Sequence, residues 1–224
     1  MTHQSSTNTR KWDSLYAKGR QGKYPYEMLI RFINGKFPQD RRAGSKILDL
    51  GFGTGRHVIY LAEEGFQTFG IEHSIPAVEI ARDWLAEKGL RAELKTGSAL
   101  DGPLWDEEFD AVIDISCIQH NPYADMEKII ANVYQVLKPG GFFFSVLKTP
   151  YDSVRQTGTK LRGITYEFPA GIEKIGASTI ISFASLRNLS KLYNLFSRLQ
   201  IEKEEWTYDN RTKKVSHWIV TAQK

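Results

Sequence analysis

Residues 47–57 read Ile-Leu-Asp-Leu-Gly-Phe-Gly-Thr-Gly-Arg-His, and this stretch decides how the chain is expected to fold. A short apolar run is typical of a buried strand, and it leads here into glycines at positions 51, 53 and 55. Glycine leaves the backbone bare, while the first turn of a helix presents unpaired N–H groups. The stretch therefore predicts a strand, a ligand-binding turn and a helix, in that order.

The same alternation of strand and helix continues outward from this stretch as far as Lys148. Four further β-rich runs, QTFGIE, RAELKT, FDAVIDIS and FFFSVL, alternate with helical patterns such as IPAVEIARDWLAEKG and ADMEKIIANVYQVL, and Lys-Pro-Gly-Gly at 138–141 ends the last of these helices. The pattern predicts a mostly parallel α/β sheet with helices on both faces. Residues 184–198 predict one more helix, and two alternating runs around Asp209-Asn210 predict an antiparallel hairpin.

Length and composition limit the class of protein. The chain has 224 residues, of which 41% are hydrophobic and 25% charged, so a disordered or fibrous protein is disfavoured. No run approaches the roughly 18 consecutive apolar residues of a membrane span, and the first residues contain no apolar leader core. Together with a single cysteine, Cys117, these features predict a cytoplasmic protein.

Charge is distributed unevenly along the chain. Residues 1–50 carry a net charge of +6, residues 51–150 carry −7 and residues 151–224 carry +5. If the basic ends converge in the fold, they favour a partner with some negative charge. A solvent-exposed surface on which charged side chains are unevenly distributed would give the same net charges.

A nicotinamide dinucleotide is one candidate ligand for the glycine turn, because an acid follows at the end of the second strand. Glu72 stands 21 residues after Gly51, where it could accept both hydroxyls of a ribose. The dinucleotide fingerprint is G-x-G-x-x-G, whereas the third glycine here comes one residue early and Arg56 stands in its place. The spacing argues against a dinucleotide.

In the order of its motifs the chain resembles the class I S-adenosylmethionine-dependent methyltransferases, in their small-molecule branch. The resemblance covers residues 46–148, and the terminal hairpin extends it to residue 224. It implies a Rossmann-like, mostly parallel seven-stranded sheet with helices on both faces and a terminal antiparallel hairpin. It also implies S-adenosylmethionine as cofactor, held by Asp49, Gly51, Gly53, Gly55, Glu72, Ser98, Ala99, Leu100, Ile115, Tyr16 and Arg20.

One position departs from the family pattern. Ser98, in Gly97-Ser98-Ala99-Leu100, stands where the family usually presents an acid to the adenine amine. The resemblance leaves that contact to the Ser98 hydroxyl, to Asp101 or to backbone alone.

Methyl transfer is an in-line displacement on an activated carbon, so the protein mainly has to align the acceptor and exclude water. A hydroxyl acceptor needs a general base, and His120, just past the fourth strand, is the candidate. A loop histidine bonded to backbone is the alternative. His73 is expected beside the adenine or in solvent, His57 in packing, His217 as an outward strand residue, and Cys117 as a small core residue.

Several absences narrow the substrate. The fourth motif has no Asn/Asp-Pro-Pro-aromatic run, which disfavours amino methylation of adenine or glutamine, and no Cys/His pair has zinc spacing, so no metal is expected. We therefore predict O- or N-methylation of a small molecule, with nucleic acid and membrane disfavoured as partners and the oligomeric state open. The alternatives are an RNA or protein methyltransferase that uses the basic ends, and a non-catalytic S-adenosylmethionine-binding domain.

The predicted organisation is one domain over residues 1–224. Residues 1–45 form an N-terminal helical lid with aromatic side chains for the pocket wall, 46–148 the cofactor-binding core, 149–183 an insertion near the substrate, and 184–224 a helix plus hairpin. The insertion lacks periodicity and is long for a connection, which favours a lid or substrate loop. Its side chains expected to line the acceptor are Tyr151, Arg155, Lys160, Arg162, Tyr166 and Phe168.

Overall fold

A seven-stranded sheet organises the computed structural model, which describes residues 3–19, 22–102, 105–169 and 180–224. The strand order is β3-β2-β1-β4-β5-β10-β9. The strands of this sheet are Lys46–Leu50 (β1), Gln67–Glu72 (β2), Glu93–Thr96 (β3), Phe109–Ile115 (β4), Leu137–Lys148 (β5), Arg198–Tyr208 (β9) and Lys213–Gln223 (β10).

Pairing within the sheet confirms the predicted fold. The strands β1 to β5 pair in parallel, whereas β10 runs antiparallel to both β5 and β9. His217, near the start of β10, stands opposite Lys148, the last residue of β5. The turn of the terminal hairpin therefore lies at the carboxyl edge of the parallel strands, which is the edge where open α/β sheets bind ligands.

Helices cover both faces of the sheet, because successive strand residues point to opposite sides. Ile47, Ala111 and Ile113 pack in one core with α2 and α3, while Leu48 and Val112 pack in the other with α5 and α6. The helices are His3–Tyr16 (α1), Glu27–Lys36 (α2), Arg56–Glu63 (α3), Ile75–Lys88 (α4), Tyr123–Val136 (α5) and Leu186–Leu192 (α6), with short 3-10 helices at Gln39–Gly44, Ile118–His120 and Ser153–Thr157.

Two predicted boundaries were wrong. The helix expected over residues 184–198 ends at Leu192, because the chain turns there and stacks Tyr193 and Phe196 on Phe143. Leu137, expected to close a helix, instead begins β5 and pairs with Phe109 across a register shift.

The segment 149–183, expected to be a lid or substrate loop, contains a second sheet in its described part. Strands Thr159–Arg162 (β6), Thr165–Glu167 (β7) and Ile180–Ser182 (β8) pair antiparallel in the order β6-β7-β8. Each strand has three or four residues, too few to show a hydrophobic period in the sequence. A small apolar core of Val154, Phe168, Ile181 and Phe183 supports it.

In the described ranges, no helix combines the length and the apolar character that a membrane crossing requires.

Arg42 fastens the segment before β1 to the helices around it. Its buried guanidinium donates to the Phe37 carbonyl at 3.0 Å and to Asn34 Oδ1 at 2.7 Å, and it pairs with Glu64. Removing a buried cation leaves these acceptors unpaired, so Arg42→Ala is expected to lower the free energy of unfolding by about 3 kcal/mol in urea titration. Arg41→Ala, at the exposed neighbour, is the control, and an equal loss in the two variants would refute this account.

Candidate active site

A cavity of about 710 Å³ opens at the carboxyl edge of the sheet. This size lies within the range of small-molecule and cofactor sites. The cavity is lined by residues from the N-terminal helix, the strand ends and the terminal hairpin, namely Trp12, Tyr16, Gly51, Glu72, His73, Ser98, Ala99, Leu100, Ile115, Ser116, Cys117, Gln119, His120, Asn121, Ile129, Lys148, Trp206, Tyr208, Val215 and His217.

The glycine turn forms part of the cavity wall as bare backbone. Gly51 has φ +71°, which disfavours any residue with a side chain, and an added Cβ would lie 2.3 Å from Cys117 Sγ. The thiol thus fills the space behind Gly51, and burial raises the pKa of Cys117 well above its ordinary value. Cys117 both packs beneath the turn and borders the cavity.

Glu72 is a buried carboxylate at the end of β2. Its Oε2 accepts from the Gly53 N–H at 3.0 Å, and its Oε1 accepts from the Ser74 N–H at 2.9 Å and lies 3.0 Å from His73 Nδ1. Burial alone would raise the pKa of Glu72, but the hydrogen bonds from His73, Ser74 and Gly53 outweigh it and lower the pKa. The cavity therefore contains an ionised acceptor that also fixes the glycine turn.

His120 lies where β4 has ended, in the 3-10 helix Ile118–His120. Its Nδ1 is 3.3 Å from the Ile180 carbonyl of β8, which assigns the proton to Nδ1 and leaves Nε2 as the acceptor. Burial lowers the pKa of His120 to about 4, and the nearby Lys148 adds to this effect. The imidazole is therefore neutral at physiological pH.

Helix α1 covers the cavity with two stacked rings. The Trp12 and Tyr16 ring centroids are 5.5 Å apart, and Trp12 meets His120 edge-on at 5.4 Å. The Ser74 hydroxyl donates to Asp13 Oδ1 at 2.6 Å and ties α1 to the start of α4. Burial raises the pKa of Tyr16, so its phenol stays protonated.

Comparison with known proteins relates part of the chain to one family. A family model described as a methyltransferase domain matches residues 47–141, from the start of the glycine stretch to the Gly-Gly before the apolar half of β5. This match agrees with the resemblance to class I methyltransferases, which implies S-adenosylmethionine as the cofactor.

Individual relatives agree with this assignment. Phosphoethanolamine N-methyltransferase 2 of Caenorhabditis elegans is 38% identical over 114 residues, which are 50% of this chain and 25% of that protein. The chain spans between a quarter and just under half of the length of the curated relatives it matches.

Solved structures show the same fold. A S-adenosylmethionine-dependent methyltransferase from Methanosarcina mazei superposes with a TM-score of 0.69 at 22% identity and covers 90% of this chain and 98% of its own. The 1,6-didemethyltoxoflavin-N1-methyltransferase of Burkholderia thailandensis was solved with bound 1,6-didemethyltoxoflavin and S-adenosylhomocysteine. It superposes with a TM-score of 0.64 at 16% identity, and the match covers 98% of this chain and 88% of that protein.

The residues that line the cavity fit the chemistry of S-adenosylmethionine. An ionised Glu72 suits the donating hydroxyls of a ribose, and the Trp12 and Tyr16 rings suit a sulfonium, since aromatic faces attract cations. The Ser98 hydroxyl accepts from the Leu100 N–H at 3.2 Å and borders the cavity, whereas Asp101 is exposed outside it. Of the alternatives for the adenine contact, the structure brings Ser98 and the adjoining backbone to the cavity.

The structure places the sequence-predicted residues in three groups. Those that line the cavity are Tyr16, Gly51, Glu72, Ser98, Ala99, Leu100, Ile115 and His120. Asp49, Gly53 and Gly55 are not among the residues that line it, and Arg20 lies outside the described residues. Asp49 is buried, and among the described residues its Oδ2 has no hydrogen-bond partner, although His57 Nδ1 lies 4.0 Å away. Burial raises the pKa of the Asp49 carboxyl well above the ordinary range. His57 is packed as predicted and accepts from the Tyr26 N–H at 3.3 Å.

Sequence reasoning missed the wall that the terminal hairpin supplies. Trp206, Tyr208, Val215 and His217 all border the cavity, so the expectation that His217 points outward was wrong. The register of β10 against β5 brings this face inward. The alternation of these four residues along the two strands indicates that they share one face of the hairpin. It does not indicate whether that face borders a cavity or solvent.

The six insertion side chains expected on the acceptor pocket lie elsewhere, so that expectation was wrong. Tyr151, Arg155 and Tyr166 border a separate surface depression with Lys214, while Phe168 is buried in the core of the small sheet. Lys160 and Arg162 are exposed. The insertion touches the site through Ile180, whose carbonyl contacts His120.

Within the described ranges, no group of three or more His, Cys, Asp or Glu side chains is arranged to hold a metal ion.

Proposed function

We propose that this protein transfers a methyl group from S-adenosylmethionine to an oxygen or nitrogen of a small molecule. The observation that carries the proposal is one continuous cavity that joins the Glu72 end to a wall with a neutral histidine, His120. Two relatives of the domain are named as methyltransferases of small molecules, phosphoethanolamine and 1,6-didemethyltoxoflavin.

The cofactor, when bound, supplies an activated methyl group for in-line displacement. Glu72, the Gly51 backbone and residues 98–100 hold it, while Trp12 and Tyr16 exclude water above it. His120 Nε2 accepts the proton from an O–H or N–H of the acceptor, because its Nδ1 is engaged by the Ile180 carbonyl. We assign these roles as part of the proposal.

Charge on the cavity bears on the acceptor. The sequence favours some negative charge on the acceptor because the chain ends are basic. Among the described residues that line the cavity, however, Lys148 is the one lysine or arginine, and its Nζ pairs with Asp152 at 2.6 Å. This arrangement disfavours a polyanion such as RNA. A cytoplasmic location stays a prediction from the sequence.

Calorimetry and labelled methyl transfer test the proposal. S-adenosylmethionine and S-adenosylhomocysteine are expected to bind, NAD is not, and label is expected to pass from the methyl group to a component of a metabolite extract. Binding without transfer to any small molecule would leave a non-catalytic domain or a macromolecular acceptor. Transfer to RNA that weakens steeply with salt would favour the nucleic-acid alternative.

His120→Asn is expected to lower kcat about 100-fold for an O–H acceptor found in this way, since general bases contribute at least that much. A base works when deprotonated, and the pKa of His120 is about 4, so the wild-type rate should stay level down to about pH 5 and then fall. Affinity for S-adenosylhomocysteine, measured by calorimetry, should not change and serves as the control. A rate that halves near pH 6.5, or a variant as fast as the wild type, would contradict the base role.

A further inference from the structure

The terminal hairpin presents one continuous face to the cavity. Trp206 and Val215 stand directly opposite each other across β9 and β10, and Tyr208 and His217 each lie two residues further along their strands. Residues two apart share a face of a sheet. The hairpin face, defined as Trp206, Tyr208, Val215 and His217, therefore borders the cavity as a unit.

This face lies far from the cofactor end of the cavity in the strand order. Gly51 directly follows β1, and Glu72 is the last residue of β2. Strands β10 and β9 lie beyond β5, at the other side of the sheet. A molecule held by Glu72 and residues 98–100 therefore leaves the hairpin face for a second ligand.

The hairpin face is aromatic and uncharged. It consists of two large rings, an aliphatic side chain and an imidazole, and burial lowers the pKa of His217 to about 4. The Trp206 and His217 rings meet at 5.5 Å between centroids. Three charged groups are nearest in the register, and each has a partner. Lys148 pairs with Asp152, Lys213 pairs with Asp209, and Glu204 accepts from the Tyr26 hydroxyl.

His217 borders the cavity and has a polar atom without a partner among the described residues. Its Nδ1 is buried and has no hydrogen-bond partner within the described structure. A buried polar atom without a partner costs about 1–3 kcal/mol. If the ring turns Nδ1 toward the cavity, a ligand that hydrogen-bonds to it removes this cost.

We propose that the hairpin face binds the methyl acceptor and that the acceptor is a flat, uncharged ring system with an N–H or O–H group that pairs with His217. Aromatic rings stack on flat ligands, whereas the hairpin face has no charged side chain to pair with the phosphate of an aliphatic zwitterion. The hydrogen bond to the His217 imidazole gives the ring its orientation. This inference rests on the proposed function, because it names the substrate class of the same cavity.

Ligand binding to protein saturated with S-adenosylhomocysteine tests the inference without knowledge of the natural acceptor. The probes are theophylline, caffeine, indazole and phosphoethanolamine, measured by calorimetry or ligand-observed NMR. Caffeine is theophylline with its ring N–H replaced by N-methyl, so the pair isolates one hydrogen bond. We expect theophylline and indazole to bind, theophylline about tenfold more tightly than caffeine, and phosphoethanolamine not to bind.

Three variants locate the contact. His217→Phe keeps a ring but loses the nitrogens, so it should abolish the difference between theophylline and caffeine. Trp206→Ala should weaken all flat probes at least tenfold. Thr207→Ala, at an exposed position of the same strand, should leave the affinity for every probe unchanged. Retained binding of S-adenosylhomocysteine shows that each variant is folded.

The outcomes separate the two proposals. Failure of the wild type to bind S-adenosylhomocysteine overturns the proposed function. Normal binding of S-adenosylhomocysteine overturns the present inference alone if no flat probe binds, if phosphoethanolamine binds more tightly than the flat probes, or if His217→Phe leaves the difference between theophylline and caffeine intact.

Discussion

Glu72→Ala is expected to raise the Kd for S-adenosylmethionine at least 100-fold. The side chain is 4% exposed, is ionised, and offers acceptors for both ribose hydroxyls, and hydrogen bonds to a charged group contribute about 1.5–3 kcal/mol each. The substitution also leaves the Gly53 and Ser74 N–H groups without their acceptor, so the glycine turn loses its fixed position.

Calorimetry with S-adenosylhomocysteine measures this effect. Glu72→Gln keeps the shape of the side chain but loses its charge, so its affinity for S-adenosylhomocysteine should lie between those of the wild type and the alanine variant. Glu79→Ala removes an exposed carboxylate one turn into α4 and should bind normally. An affinity of Glu72→Ala within threefold of the wild type would remove Glu72 from the cofactor site.

Gly55→Ala is expected to lower the free energy of unfolding by about 3 kcal/mol. Gly55 has φ +95° at the start of α3, where a side chain costs about 1–2 kcal/mol. An added Cβ would lie 2.8 Å from Ala81 Cβ of α4, and overpacking of this kind costs about 1–3 kcal/mol more. For a chain of this size the melting temperature should fall by roughly 10 °C.

A double-mutant cycle separates the two causes. Combining Gly55→Ala with Ala81→Gly removes the clash but not the backbone strain, so the pair should show a favourable coupling of about 1 kcal/mol or more. Gly44→Ala, with no atom within 4 Å of the new Cβ, should stay close to the wild type. A Gly55→Ala variant as stable as Gly44→Ala would show that α3 and α4 are not tightly packed here.

Local patterns in the sequence predicted the fold and the cofactor end of the site. The strand, glycine turn and helix of residues 47–57 are adjacent in the chain, and Glu72 follows one strand later. Spacing of this kind is visible without knowledge of long-range pairing, because each feature depends on neighbouring residues. Ser98, Ala99 and Leu100, which follow β3, came from the resemblance to the methyltransferase family, and they line the cavity.

The residues at the acceptor end of the cavity could not be predicted in this way, because their position depends on the pairing register of strands that are distant in the sequence. His217 reaches the cavity because it stands opposite Lys148, and a shift of one residue would turn it to the other side of the sheet. The small sheet of the insertion was not predicted for a related reason, since its strands are short and β8 is well separated from β7 in the sequence. Gly55 was predicted to contact the cofactor. The structure shows that glycine is also required at this position because Ala81 of α4 packs against it.

The place of β10 in the sheet has a consequence for how the molecule forms. On a ribosome, β5 emerges well before its partner, so the Phe142, Phe143 and Phe144 run has an open backbone edge until β10 arrives. Such an edge recruits other chains, and late pairing of distant segments slows folding. The step that completes the acceptor wall is thus the same step that protects the nascent sheet from aggregation.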